Sequence, residues 1–224
     1  MVETRQGHGK KMISRRQLVA MSCLLAAAIL MPAQFSVARA ADDGPGAFVT
    51  RLGNKTIERL TDASASPSVR ENQFRELLRE GFALETIGQF VLGKYRRTAP
   101  QETVTEFVNV FEQYIVALYA KQFGRYSGQT FAVEKVVDTS RAGDSMVMTK
   151  INPTGDTEPM RVDFQVRSVS DSFKILDVRV EGVSMVLAQR DEFTSFIAQN
   201  GGRVESLIDA LRQRTAGSAT TAGK

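Results

Sequence analysis

The side chains that most often perform nucleophilic and metal chemistry are scarce in this 224-residue chain. It contains one histidine, His8, and one cysteine, Cys23, and both lie in the first 25 residues. Beyond them the chain cannot form a disulfide, a thiolate or imidazole metal site, or a nucleophile activated by histidine. We therefore expect no cofactor and no bound metal, and most hydrolase and redox chemistry is excluded.

Two aspartates, Asp163 and Asp177, are the remaining candidates for catalysis, because some isomerases use a buried carboxylate base with a tyrosine or acid donor. Each alternates with apolar residues of a predicted strand; Asp177, for example, stands between Leu176 and Val178. We therefore expect both carboxylates to point away from any apolar cavity. Ser184 is interpreted as a helix cap rather than a nucleophile. The sequence favours a protein that is not an enzyme, and an isomerase-like enzyme is the open alternative.

The N-terminus has the order of an export signal. Four lysines and arginines precede an apolar run at 18–31, and the small-residue site Ala-Arg-Ala follows at 38–40. The run is shorter than the roughly 20 residues that a membrane helix needs. We expect a signal peptide at 1–40 with cleavage after Ala40. Residues 14–18 resemble a twin-arginine motif, but paired arginines are common in ordinary signals, so the Sec route is favoured.

The positive charge of the chain belongs to this leader. The whole sequence has a net charge of +4 and a pI of about 9.3. Without residues 1–40, which hold six basic residues and one acidic residue, 23 basic and 24 acidic residues remain. A nucleic-acid-binding domain would need a basic surface on the folded part. We therefore expect no nucleic-acid partner.

The apolar periodicity changes twice along the remainder. From 42 to 124 it is helical, and its longest stripe, at 104–119, is rich in aromatic residues. After Gly124 the period is two, which predicts four strands beginning at Phe131, Ser145, Met160 and Phe173. Two helices follow at 185–200 and 204–214, and 215–224 is expected to be disordered. The pattern predicts one α+β domain at 41–214, an antiparallel four-stranded meander with one face covered by N-terminal and C-terminal helices.

Three segments carry a resemblance to a known family. They are 87–97 (IGQFVLGKYRR), 107–119 with its Phe-x-x-x-Phe spacing, and 177–186 (DVRVEGVSMV) running into Arg190 and Phe193. Together they resemble the MlaC family of periplasmic phospholipid-binding proteins, also called the toluene-tolerance family, over nearly all of 45–212. This chain departs from the family at Ala83, Arg96 and 188–189. These departures leave the expected fold unchanged. They weaken the transfer of the family's lipid class and partner contacts to this chain.

The resemblance implies a soluble periplasmic carrier with only transient membrane proximity. Such a carrier moves phospholipid between an outer-membrane lipoprotein complex and an inner-membrane ABC transporter that bears a lipid-binding ring protein. Close relatives accompany hopanoid gene clusters, so a carrier of hopanoid or another lipid remains open. A lipid-free adaptor with a packed interior is a further alternative. An open apolar cavity without inward carboxylates would favour the carrier over both the adaptor and the enzyme.

We expect the sheet face under the aromatic-rich helices to enclose acyl chains. The predicted lipid-binding residues comprise two at the entrance, four on the long helix, four on the sheet and two after it. In that order they are Leu92 and Tyr95; Phe107, Phe111, Ile115 and Tyr119; Phe164, Val166, Val178 and Val180; and Val183 and Val186.

Overall fold

Six α-helices and five β-strands make up the part of the chain that the computed structural model describes, residues 44–62, 64–123, 128–153 and 158–220. The predicted signal at 1–40 and its cleavage site lie outside these ranges. The helices are α1 (Pro45–Leu60), α2 (Pro67–Gly81), α3 (Leu84–Val91), α4 (Gln101–Phe123), α5 (Met185–Gln199) and α6 (Val204–Thr220), with a 3₁₀ helix at Gly93–Arg97 between α3 and α4. The strands are β1 (Thr130–Asp138), β2 (Asp144–Asn152), β3 (Met160–Val169), β4 (Ser172–Val180) and β5 (Val183–Ser184).

Local sequence signals determine most helix ends. The Ser66 hydroxyl accepts a hydrogen bond from the amide of Val69 (3.3 Å), and Pro67 occupies the first helical position of α2. Gly81 is the last residue of that helix. Gly93 adopts a φ of 56°, a left-handed conformation that favours glycine, between α3 and the 3₁₀ helix.

The sheet has five strands rather than the predicted four. All pair antiparallel in sequence order, and the additional strand, β5, pairs with Arg179 and Val180 of β4. Glu181 and Gly182 form its two-residue turn with φ values of 49° and 82°, as a type I′ hairpin requires. Periodicity could not reveal β5 because two residues are too few to show an alternation.

The C-terminal helix also continues further than predicted. The apolar pattern places its end at residue 214 and assigns 215–224 to a disordered tail. In the structure α6 runs to Thr220, and 221–224 lie outside the described residues. The hydroxyl of Thr215 donates to the carbonyl of Leu211 (2.9 Å), one turn earlier in the same helix. The small and polar residues of 215–220 therefore continue the helix.

Two clusters of buried apolar residues form the core. One joins α3, α4, α5 and α6, where the ring of Phe107 stacks on Phe111 and meets Phe193 edge-on, each at a centroid distance of 5.9 Å. The other joins α1, α2 and α4 to the sheet, which contributes Val147 and Val166 among others. We call the sheet face that packs in this second cluster the inner face, and the opposite, charged face the outer face.

Candidate functional site

Two apolar cavities lie between the helices and the inner face of the sheet. The first has a volume of about 460 Å³, and its lining combines one face of α1 with the ends of the first three strands. Its apolar walls include Val49, Leu52, Ile57, Phe131, Ile151, Met160 and Phe164. This lining is almost entirely hydrocarbon, so it suits an apolar ligand rather than a charged one.

The second cavity has a volume of about 330 Å³ and lies among the helices. The helices α3, α4 and α5 and the strand β4 form it, with Ile87, Val91, Phe111, Ile115, Tyr119, Val178, Val180, Met185 and Val186 in the lining. Three polar residues also border it, Asp177, Gln189 and the phenol of Tyr119. Burial raises the pKa of Tyr119, with a further contribution from the nearby Tyr114, so this phenol stays protonated at neutral pH.

The two cavities share a wall. Phe74 and Phe82 belong to the lining of both, and Phe74 is buried on α2. Phe82 follows the end of α2, and its position is held by the amide of Ala83, which donates to the carbonyl of Ile175 on β4 (3.0 Å). Two aromatic side chains therefore divide one apolar space into two neighbouring chambers.

Seven of the twelve predicted lipid-binding residues line these cavities. The second cavity contains six of them: Phe111, Ile115, Tyr119, Val178, Val180 and Val186. The seventh, Phe164, borders the first cavity. The alternation of β4 and the apolar stripe of α4 therefore bring their residues together as expected.

The other five predicted residues line neither cavity. Leu92, Tyr95 and Phe107 are buried in the cluster of α3 to α6, and Val166 is buried against the inner face. The two residues predicted at the entrance, Leu92 and Tyr95, are thus packed among helices and line neither cavity. Val183 is 57% exposed on the short strand β5.

Sequence reasoning missed most of the first cavity. None of its α1 residues is among the predicted lipid-binding residues, and neither are Phe74 and Phe82, which it shares with the second cavity. An apolar stripe predicts that α1 packs on the sheet. It does not show how wide a space α1 leaves over β1 to β3.

The outer face of the sheet carries an ordered charge network, which borders a third cavity of about 470 Å³ with a more polar lining than the other two. Asp144 is buried and accepts two hydrogen bonds from Arg167, at 2.6 and 2.8 Å, and one from Gln165 at 3.2 Å. The hydrogen bonds from Arg167 hold the pKa of Asp144 below its usual value, against the effect of burial. Asp163 pairs with Arg161 at 2.6 Å on this face and borders neither cavity, in agreement with the prediction.

Asp177 corrects the expectation that no carboxylate would border the cavity. A bulge in β4 leaves Leu176 unpaired, since Gln165 pairs with Asp177 and Val166 pairs with Ile175. Leu176 consequently leaves the apolar face that it was expected to share with Val178. Asp177 lies where the outer face meets the second cavity, and its Oδ1 accepts a hydrogen bond from the amide of Val186 (3.1 Å).

Ser184 has the predicted capping role. Its hydroxyl accepts from the amide of Leu187 (3.0 Å) at the start of α5. Asp177 and Ser184 together satisfy two amides of the first turn of α5, the helix that contributes Met185 and Val186 to the second cavity. Both residues therefore position one wall of that cavity.

Within the described ranges, no group of three acidic, histidine or cysteine side chains is arranged to hold a metal ion. None of the helices described here has the length and hydropathy to span a bilayer.

Comparison with known proteins gives concordant similarities. The profile of the MlaC protein family matches residues 50–213. The toluene tolerance protein ttg2D of Pseudomonas putida is 27% identical over 118 residues, which are 52% of this chain and 53% of that protein. The chain thus spans about half the length of this curated relative.

Among solved structures, the phospholipid-binding protein from Ralstonia solanacearum, determined in complex with a phospholipid, has a similar fold. The TM-score is 0.66 and the identity 18%, over 78% of this chain and 98% of that one. The resemblance found in the sequence is confirmed by the family profile, which extends over most of the described α+β unit. The chain belongs to the MlaC protein family.

Proposed function

We propose that this protein is a periplasmic carrier that holds a phospholipid with one acyl chain in each apolar cavity. The observation that carries the proposal is the pair of neighbouring chambers divided by Phe74 and Phe82. A molecule with two flexible tails joined at one end matches two chambers that share a wall. The Ralstonia solanacearum protein of similar fold was determined with a phospholipid, which agrees with this ligand class.

The cavity volumes fit acyl chains. We take about 30 Å³ per methylene group, the volume that a water molecule occupies in the liquid. Cavities of 460 and 330 Å³ then hold on the order of 15 and 11 methylene groups. Each cavity thus accommodates most of one fatty acyl chain, and the polar headgroup is left outside.

The energetics suit a carrier. Each methylene that leaves water for an apolar site contributes about 0.8 kcal/mol, so a tail of about 14–16 methylenes favours the cavity by roughly 11–13 kcal/mol. Transfer from a bilayer to the cavity nearly cancels this free energy, because both sites are apolar. Escape of the lipid into water is therefore rare, while exchange with a membrane or a docked protein costs little.

The divided cavity favours a two-tailed lipid over a hopanoid. A rigid fused-ring molecule would need one continuous space, and the side chains of Phe74 and Phe82 lie between the two chambers. A hopanoid or another lipid would be carried only if these two rings moved. The lipid class is therefore a direct test of the chamber geometry.

The site supports binding rather than catalysis. Asp177 borders the second cavity, but its oxygens face the amide of Val186 at 3.1 Å and the Nε of Arg179 at 3.6 Å. A general base needs a lone pair directed at the substrate. We assign Asp177 an anchoring role at the start of α5, and we propose that the protein is not an enzyme.

The shuttle that we propose runs between an outer-membrane lipoprotein complex and an inner-membrane ABC transporter bearing a lipid-binding ring protein. Family membership supports this assignment and export to the periplasm. We retain the expected cleavage after Ala40, a mature domain that begins at residue 41 and the Sec route as parts of the proposal. N-terminal sequencing of the exported protein tests the cleavage site.

Mass spectrometry of organic extracts tests the ligand. The exported protein should be purified without detergent, extracted, and compared with an unrelated periplasmic protein prepared in parallel. We expect about one two-tailed phospholipid per chain. A hopanoid in the extract would replace the phospholipid assignment, and extracts without lipid would support the lipid-free adaptor.

A further inference from the structure

Five cations surround the 3₁₀ helix that follows α3. The 3₁₀ helix itself contributes three of its five residues, α5 contributes one, and the turn between α5 and α6 contributes one. We call this surface the basic patch, which consists of Lys94, Arg96, Arg97, Arg190 and Arg203.

Packing around Tyr95 brings these residues together. Tyr95 is buried, and the ammonium of Lys94 lies 5.2 Å from its ring centroid. Gly202 lies against the same ring, since a Cβ at this position would be 3.8 Å from its Cε1. Arg203 therefore emerges beside the 3₁₀ helix. The guanidinium of Arg190 lies against Gly93, where a Cβ would be 3.3 Å from its Nε.

The positive charge of the patch is not neutralised by neighbouring carboxylates. Across the described part of the chain, no carboxylate oxygen lies within 4.0 Å of a charged nitrogen of these five residues. Elsewhere on the helical layer several arginines are paired with carboxylates, as Arg212 is with Glu106 at 2.7 Å. An uncompensated group of this size attracts an anionic partner.

Exposed apolar side chains adjoin the cations. Phe90 is 41% exposed, and the guanidinium of Arg190 lies over its ring at 4.7 Å. Leu187 is 49% exposed and precedes Arg190 by three residues on α5, so the two share a helix face. Aromatic and aliphatic side chains beside lysine and arginine are typical of surfaces that bind at the membrane interface.

The basic patch adjoins the second cavity. Val91 ends α3 and lines this cavity two residues before the 3₁₀ helix begins. Gln189 lines it immediately before Arg190. A partner bound to the patch would therefore lie next to the wall formed by α3 and α5.

We propose that the basic patch, together with Phe90 and Leu187, binds the surface of an anionic phospholipid bilayer. The cations meet the phosphates, and the two apolar side chains enter the headgroup layer. Charges more than about 10 Å apart are largely screened at 0.1 M salt. The local patch therefore governs binding despite the slightly negative net charge expected after cleavage. An acidic protein surface is the alternative partner, but it would not by itself account for Phe90 and Leu187.

This inference rests on the proposed function, because membrane contact would place the second cavity where lipid is exchanged. The two are nevertheless measured separately. Vesicle binding needs no lipid transfer, and lipid content is determined from organic extracts of the same preparations.

Vesicle flotation tests the proposal. The exported protein is mixed with vesicles of phosphatidylcholine alone, or of phosphatidylcholine and phosphatidylglycerol in equal parts, at low and at physiological ionic strength. The test variant is Arg96→Gln/Arg97→Gln. The matched control is Lys135→Gln/Lys150→Gln, which removes the same charge from β1 and β2 at positions without a carboxylate partner among the described residues. Thermal melts confirm that both double variants are folded.

We expect binding to the anionic vesicles that weakens with salt, and little binding to phosphatidylcholine alone. Each cation near an anionic bilayer strengthens binding about fivefold, so the test variant should bind about 25-fold more weakly. The control should stay within about twofold of the parent chain. Absence of binding to anionic vesicles, or equal losses in both variants, would overturn the proposal and leave the acidic protein as the partner. Protein that carries lipid but does not bind vesicles would contradict only this inference. Lipid-free protein that binds vesicles would contradict only the carrier assignment.

Discussion

Substitution of valine by phenylalanine at two sheet positions distinguishes an open chamber from a filled core. Val178 on β4 lines the second cavity, whereas Val166 on the neighbouring strand β3 is buried against the same inner face and lines neither cavity. Each substitution adds four carbon atoms to the side chain. The chemistry is thus identical, and only the space in front of the residue differs.

The expected stability changes follow from that space. Overpacking a filled core costs about 1–3 kcal/mol, and each kcal/mol lowers the melting temperature of a domain of this size by about 2–4 °C. Val166→Phe should therefore lower it by about 2–12 °C. At Val178 a cavity of 330 Å³ accepts the ring, so the melting temperature should change by less than about 2 °C. The same ring should exclude part of the second acyl chain and reduce the lipid that co-purifies.

Calorimetry and lipid extraction provide the assay. The melts are recorded after lipid removal, because bound lipid stabilises the native state and would mask the packing effect. Extracted phospholipid is then quantified for both variants and the parent chain. If Val178→Phe melts as low as Val166→Phe, or retains the full amount of lipid, the second cavity is not a lipid chamber and our reasoning is refuted.

Three further predictions concern the residues that support the site. Asp144→Asn should lower the free energy of unfolding by about 1.5–3 kcal/mol at pH 7, since it removes the ionic hydrogen bonds to Arg167. Because the folded pKa of Asp144 is depressed, its contribution is complete above the unfolded pKa of about 3.9 and is lost as the pH falls through the folded value. Denaturant titrations should therefore show the deficit of the variant shrinking below pH 4 or so; a deficit that persists in acid would contradict the assignment. Gly93→Ala should cost about 1–2 kcal/mol in chemical denaturation, because a φ of 56° is strained for alanine and its Cβ would lie 2.8 Å from the Cγ2 of Thr194. Ser184→Ala should cost about 1 kcal/mol in the same measurement by removing the cap of α5, and an unchanged midpoint would show that the hydroxyl does not stabilise this helix.

Local signals in the sequence were sufficient for the order of the elements other than β5. Helical and alternating periods report which face of a segment is apolar, and Ser66, Pro67 and Gly93 report where helices begin and end. The α+β class and the antiparallel meander followed from these features, and the family resemblance rested on the segments 87–97, 107–119 and 177–186. The scarcity of histidine and cysteine excluded most catalytic chemistry before any fold was known.

Only the tertiary structure decided which apolar residues face open space. Phe107 and Phe111 belong to the same apolar stripe of α4. Phe107 is enclosed by Phe111 and Phe193, whereas Phe111 also borders the second cavity. The division into two chambers depends on where α2 ends and how Phe82 is held against β4. Periodicity identifies a buried face, but whether atoms or empty space lie opposite depends on residues that are distant in sequence.

The bulge at Leu176 shows the same limit for polar residues. Strict alternation would keep Leu176 with Val178 on the inner face, but one extra residue in β4 places Leu176 on the outer face beside Asp177, which also borders the second cavity. The sequence determined that β4 is a strand with an apolar side. The register of that strand is decided by its pairing with β3, because a one-residue shift changes which side chains share a face and the alternation of β4 alone does not show where the extra residue lies.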